Sequence, residues 1–335
     1  MIPIVTTVVL LLGSAAVIYL ACEFFVNGVE WVGRKLAVGQ QATGSILAAF
    51  GTALPESVVT FIAVVFGASA AQKQIGVGAA LGGPLVLSTI AYGVVGLTLL
   101  LCRQQLPRTD AIRADFRRLS RDQGWFLVIF AGKIGLGLVA FAFKPWLGVL
   151  FLAAYGAYFF KEMRGGAAEE DHDLEPLKLT PLRAIPSTAA AIIQTVVAIV
   201  VIFAASRVFV SQLDALGPVL GVKPQLLALL LSPIATELPE TLNAVIWVRQ
   251  GKHRLALANI SGAMMIQATV PTALGLFFTP WRLDPALILA AGVTAAAVGI
   301  MFLAFRAGRM SRVLLSAMAI FYLIFVAALL LLRLY

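Results

Sequence analysis

Apolar runs of about twenty residues recur along the chain, roughly at 2–22, 38–66, 75–102, 125–143, 145–160, 186–206, 222–248, 255–279, 285–305 and 312–332. That is the length an α-helix needs to cross a hydrocarbon core roughly 30 Å thick. Only 12% of the 335 residues are charged, against about 25% in an ordinary soluble protein. The expected class is therefore all-α: a polytopic membrane protein with about ten transmembrane helices, and the lipid bilayer as its first partner.

The net charge of +9 does not point to nucleic acid. Lys and Arg lie in short connections, and no basic and aromatic cluster of the nucleic-acid type is present. With the N-terminus outside, the inner connections hold 18 basic residues and the outer ones 6, with Lys133 inside a span. This asymmetry predicts both ends outside and the cell (inner) membrane as location. The basic connection 103–123 sets topology by the same rule. Cys22 and Cys102 make neither a metal spacing nor a disulfide framework. The longest acidic connection, 161–183, stands at the midpoint with five spans on each side. Its stretch "EEDHDLEP" (169–176) has Pro176 where a calcium loop begun at Asp171 would need glycine, so a solvated acidic loop is expected.

The two halves repeat one another. "LAVGQQATGSILAAFGTALPES" (36–57) lies over "LGVKPQLLALLLSPIATELPET" (220–241) without a gap, and "GVGAALGGP" (76–84) falls near "LALANISGA" (255–263). Five spans is an odd number, so the second copy enters the membrane upside down. The expected organisation is a first repeat at 1–165, a cytoplasmic loop at 166–184 and a second, inverted repeat at 185–335. Inverted repeats are a common plan for secondary transporters, with the ion site at the midplane between them. The small residues of "GVGAALGG" (76–83) read as a helix-packing surface rather than a phosphate loop.

Each copy carries Leu-Pro-Glu inside an apolar run. Pro55 and Pro239 lack an N–H, so the carbonyls of Gly51 and Ala235 lose their helical partners. A freed carbonyl in hydrocarbon is costly unless it lines a cavity or meets an ion. Each proline is expected to open a new half-helix, with Glu56 and Glu240 at its N-terminus, where negative charge is favoured. Intramembrane acids are functional candidates by default. Thr52 and Thr236 stand beside the breaks and add hydroxyl oxygens. An all-oxygen set suits a hard cation such as Ca²⁺, and no Cys or His stands at these positions to favour a soft metal. The structural alternative pairs one acid with Lys133.

On these residues the chain resembles the calcium/cation antiporter superfamily, the sodium/calcium exchangers and their relatives. The resemblance rests on "GTALPE" (51–56) with "GAALGGPLVL" (78–87), and on "ATELPE" (235–240) with "ANISGAMMIQ" (258–267). It implies Glu56 and Glu240 as central metal-binding acids and Thr52 and Thr236 as threonine ligands. Several family oxygens are replaced, by Ala53, Gly82-Gly83, Gly262-Ala263 and Leu87. Gln267 takes the place of the last Asn or Asp of the second repeat, and Asn259 matches the family's Gly-Asn position. Glu237 is an added carboxylate. The weakened flanking positions shift the expectation from sodium toward proton coupling, because three close carboxylates cannot all stay ionised in a dry site without a cation.

The expected function is secondary active antiport of inorganic cations: Ca²⁺ against Na⁺ or H⁺, by alternating access, with no cofactor beyond the transported ions. The alternatives are an antiporter or passive channel for another cation, such as Mg²⁺, Mn²⁺ or Na⁺/H⁺, or a non-transporting cation sensor. An intramembrane enzyme is not expected, because His172 and His253 are the chain's two histidines and both lie in connections.

Overall fold

The computed structural model describes residues 4–35, 48–102, 115–165, 174–183, 185–308 and 310–334, with the side chains of 48–53 and 162–165 outside the description. The first half contains α1 (Ile4–Lys35), α2 (Ala48–Phe66), α3 (Ala70–Leu101), α4 (Phe116–Leu138) and α5 (Gly148–Gly165). The second contains α6 (Thr188–Leu220), α7 (Pro224–Thr236), α8 (Leu238–Arg249), α9 (His253–Phe278), α10 (Pro285–Arg306) and α11 (Arg312–Leu331). The pair α7–α8 is one interrupted segment, so five segments stand in each half among the described residues, in line with the ten apolar runs. No strand occurs among the described residues.

Among the described residues, six helices, α1, α3, α6, α9, α10 and α11, have the length and apolarity to cross a membrane. Two of the remaining segments fall short for local reasons. The α4 helix opens with Arg117, Arg118, Arg121 and Asp122 and carries Lys133 further on, and α7 and α8 are short because the chain breaks between them. Five helices start on side-chain caps: Ser69, Asp115, Ser187, Asp284 and Ser311 each accept the N–H three residues on. These caps satisfy donors that a helix start leaves unpaired.

The packing has the pattern that inversion requires. The α1 helix runs antiparallel along α6: Gln194 donates to the Phe24 carbonyl at 2.8 Å, and Val17 and Val201 line the same cavity further along. In contrast, α3 runs parallel to α7. A β-carbon on Gly78 would overlap the Gln225 carbonyl, and one on Gly82 the Leu229 carbonyl. The glycines of "GVGAALGG" thus serve close helix approach, as expected from their size. The third helix of the first half packs on the second of the other half, and α2 packs on α9 in return.

The structure corrects one local expectation. The α2 helix continues from Ala48 to Phe66 with Pro55 inside it, so no new half-helix opens at Glu56. In the second copy the break is present: Glu237, at φ −101° and ψ −4°, ends α7 and starts α8, with Glu240 in the first turn. The difference has a physical cause. The second copy has two prolines six residues apart, Pro233 and Pro239, where the first has Ala49 and Pro55. Two missing N–H groups on adjacent turns interrupt the ladder where one is absorbed.

The midpoint connection is docked rather than loose over 174–183. Trp31 Nε1 donates to the Glu175 carbonyl at 2.9 Å, Lys178 N donates to Asn27 Oδ1 at 2.9 Å, and Lys178 Nζ meets Glu23 Oε2 at 2.9 Å. Asn27 is therefore a loop anchor. The acidic residues 169–173 lie outside the described residues.

Candidate cation site

The site is assembled around Thr236, on the last turn of α7. Its hydroxyl Oγ1 lies 2.9 Å from Glu56 Oε2 on α2 and 2.9 Å from Glu237 Oε1 at the α7–α8 break. The Ser232 carbonyl stands 3.2 Å from the same Oγ1, and the Ser232 hydroxyl lies 3.4 Å from Glu56 Oε2. Ser232 and Thr236 are four residues apart, so one face of α7 presents both hydroxyls. Glu56, Ser232, Thr236, Glu237, Glu240 and Gln267 are all buried.

Gln267, on α9, sits over Gly83 of α3, where an added β-carbon would come 2.7 Å from its Oε1. Its amide lies beside Glu237, outside hydrogen-bond geometry. Glu56 Oε1 and Glu237 Oε2 are buried with no hydrogen-bond partner. A buried carboxylate oxygen left unpaired carries a desolvation cost that a proton or a cation would relieve. From α1, Cys22 comes within electrostatic reach of Glu240 and Glu237.

The structure thus brings together Glu56, Thr236 and Glu237, with Gln267 alongside and Glu240 one turn further on α8. The side chain of Thr52 lies outside the described residues, as does that of Ala53. Among the described residues, no three His, Cys, Asp or Glu side chains converge as the ligands of one ion. A bound cation would accordingly draw its oxygens from a mixed set of carboxylate, hydroxyl, amide and carbonyl groups, which hard cations accept. Asn259, on α9, is half-buried and its Nδ2 meets no partner. Lys133 does not close an ion pair with Glu56. Its ammonium, fully buried, donates instead to backbone carbonyls.

Ser232 was not singled out from sequence. Its signal was available: a hydroxyl residue one helical turn before Thr236, next to Pro233. Cys22 had no such signal, because only the packing of α1 brings it to the site.

Comparison with known proteins places the chain in a family. Residues 6–161 and 190–331 match the family described as "Sodium/calcium exchanger protein", one stretch in each half. The "Inner membrane protein YrbG" of Escherichia coli (strain K12) is 24% identical over 283 residues, covering 84% of this chain and 82% of that protein. Among solved structures, the H⁺/Ca²⁺ exchanger CAX is similar with a TM-score of 0.72 at 17% identity, over 97% of this chain and 82% of that one. The sodium-calcium exchanger NCX_Mj, soaked with Na⁺, is similar with a TM-score of 0.62 at 19% identity, over 97% of this chain and 99% of that one. At such identities the structural likeness speaks for the fold, and the two matched stretches speak for descent. This is a multi-pass membrane exchanger rather than an enzyme, and the chain belongs to the sodium/calcium exchanger protein family.

Proposed function

We propose that the chain exchanges Ca²⁺ for H⁺ through the buried site around Thr236. The observation that carries this reading is the double contact of one hydroxyl. Thr236 has a single hydrogen to donate, yet its oxygen stands 2.9 Å from two carboxylate oxygens of different halves. One of the contacts is satisfied by the Thr236 hydrogen. The other, oxygen to oxygen, needs a proton on the carboxyl or a cation between the groups. The same place is therefore built to hold either a proton or a metal, and holding them in turn is antiport.

Glu56, Glu237, Glu240, Thr236 and Gln267 are the residues of this chain assigned to the ion, with Thr52 assigned by its place in the first repeat. The repeats run over 1–165 and 185–335, joined by the inner loop 166–184, with both termini outside. The absence of Cys and His among the site's oxygen donors favours a hard divalent ion over a soft one. Access alternates as the two halves shift around the shared site.

The test is flux in proteoliposomes. Imposed pH gradients are expected to drive ⁴⁵Ca²⁺ accumulation, and trapped unlabelled Ca²⁺ to accelerate labelled Ca²⁺ entry. Uptake that follows a Na⁺ gradient and ignores pH would overturn the proton as counter-ion. Entry with no acceleration by trapped ion would make the protein a passive channel. Preference for Mg²⁺, Mn²⁺ or Na⁺ over Ca²⁺ would replace the cargo.

A further inference from the structure

Lys133 is buried completely in the C-terminal part of α4. Its ammonium donates to the Ala80 carbonyl of α3 at 2.6 Å and reaches the Gln267 carbonyl of α9 at 3.4 Å. The rings of Phe130 and Trp281 flank it, with centroids 5.6 and 5.9 Å away. Trp281 Nε1 in turn donates to the Lys133 carbonyl at 3.0 Å, which fixes the backbone of this turn.

The two carbonyls are not arbitrary. In a helix the Ala80 carbonyl would accept from the N–H of residue 84 and the Gln267 carbonyl from that of residue 271. Both residues are proline, Pro84 inside α3 and Pro271 inside α9. Each has no N–H to give. Each of these two helices thus frees one carbonyl, and both freed carbonyls turn to one positive charge. Two outward-turned carbonyls from inverted helices are the groups with which membrane proteins hold a monovalent cation. Here the cation is covalently tethered.

We propose that the Lys133 ammonium is a resident monovalent cation, which fills the place between the two halves that a transported Na⁺ or K⁺ would otherwise take. It also sets the charge balance. Lys133 lies within electrostatic reach of Glu56. With its charge counted, Glu56, Glu237 and Glu240, fully ionised, leave two negative charges, which one divalent cation neutralises without a monovalent companion. Lys133 is a specificity-determining residue in this account and does not touch the transported ion. The inference rests on the antiport reading above.

The experiment compares wild type, K133A and K133R, purified whole, in two readouts. The first is thermal unfolding at constant ionic strength in NaCl, KCl or N-methylglucamine chloride, which needs no Ca²⁺ flux. K133A is expected to gain about 3 °C or more from Na⁺ or K⁺ over N-methylglucamine. Wild type and K133R are expected to gain nothing. The second readout is Ca²⁺ counterflow. In N-methylglucamine medium K133A is expected to fall about tenfold or more. Na⁺ or K⁺ is expected to restore it, while wild type stays indifferent.

A K133A protein that ignores Na⁺ and K⁺ in both readouts overturns the inference. If K133A does not fold, the triple variant P84A/P271A/K133A returns helical partners to both carbonyls. Wild-type counterflow in that variant would reduce Lys133 to a carbonyl partner and overturn the inference. Counterflow still reduced about tenfold in a folded triple variant would support a role for the charge. Absence of Ca²⁺ counterflow in wild type, with the monovalent stabilisation of K133A intact, would remove the Ca²⁺ reading and leave the resident cation standing.

Discussion

Thr236 of the second half and Glu56 of the first are joined across the repeat interface at 2.9 Å, oxygen to oxygen. A hydrogen bond to a charged group is worth about 1.5–3 kcal/mol. Replacing Thr236 by Val keeps the shape and removes the hydroxyl. Half-saturating Ca²⁺ in the counterflow assay is expected to rise about 10- to 100-fold in T236V. T236S keeps the oxygen and is expected to stay within about threefold of wild type. Equal behaviour of the two variants would take Thr236 out of the site.

Glu56, Glu237 and Glu240 are expected to differ under substitution by Gln. E56Q and E240Q should lose counterflow and pH-driven uptake together while the purified protein remains folded. E237Q should lower Ca²⁺–Ca²⁺ counterflow and abolish accumulation driven by a pH gradient, because it removes a carboxylate assigned to the ion and the carboxyl that shares the Thr236 contact. Unimpaired pH-driven uptake in E237Q would show that this carboxyl carries no counter-ion proton.

The α3–α7 contact admits a sharp comparison. A β-carbon at Gly82 would overlap the Leu229 carbonyl, whereas at Gly299 of α10 nothing stands within 4 Å. G82A is expected to cost about 1–3 kcal/mol, as overpacking does, and G299A about zero. Thermal unfolding in detergent reads the difference. Matching melting temperatures would mean that this crossing yields freely.

Cys22 reports on the site without belonging to it. It is 1% exposed and electrostatically close to Glu240 and Glu237. In a C102S background, maleimide labelling of Cys22 is expected to be slow, faster when the site opens, and slowed again by saturating Ca²⁺. Labelling unaffected by Ca²⁺ would separate the motion of α1 from occupancy of the site.

Much of this was legible in the residues. The apolar runs predicted ten segments because bilayer thickness fixes helix length, and the gapless match of 36–57 with 220–241 predicted two halves. Glu56 and Thr236, chosen as intramembrane polar residues, meet in the structure. The break at Pro55 did not follow, because one proline is tolerated where Pro233 and Pro239 together are not. In the structure Glu56 and Glu237 share Thr236, while Glu240 stands one turn further on α8. The role of Lys133 was hidden for a different reason. Its partners are backbone carbonyls, which every residue has, and only the registers of Pro84 and Pro271 mark which two are free.

The break at Glu237, which the first half does not share at Pro55, has a consequence for energetics. A strictly twofold machine would have outward-open and inward-open forms of equal intrinsic free energy, each the image of the other. With α2 continuous through Pro55 and α7 parted from α8 at Glu237, the two halves do not offer the same place to bend. Under the alternating access proposed above, the two conformations would then be unequal before any ion or voltage acts, and the empty protein would rest facing one side.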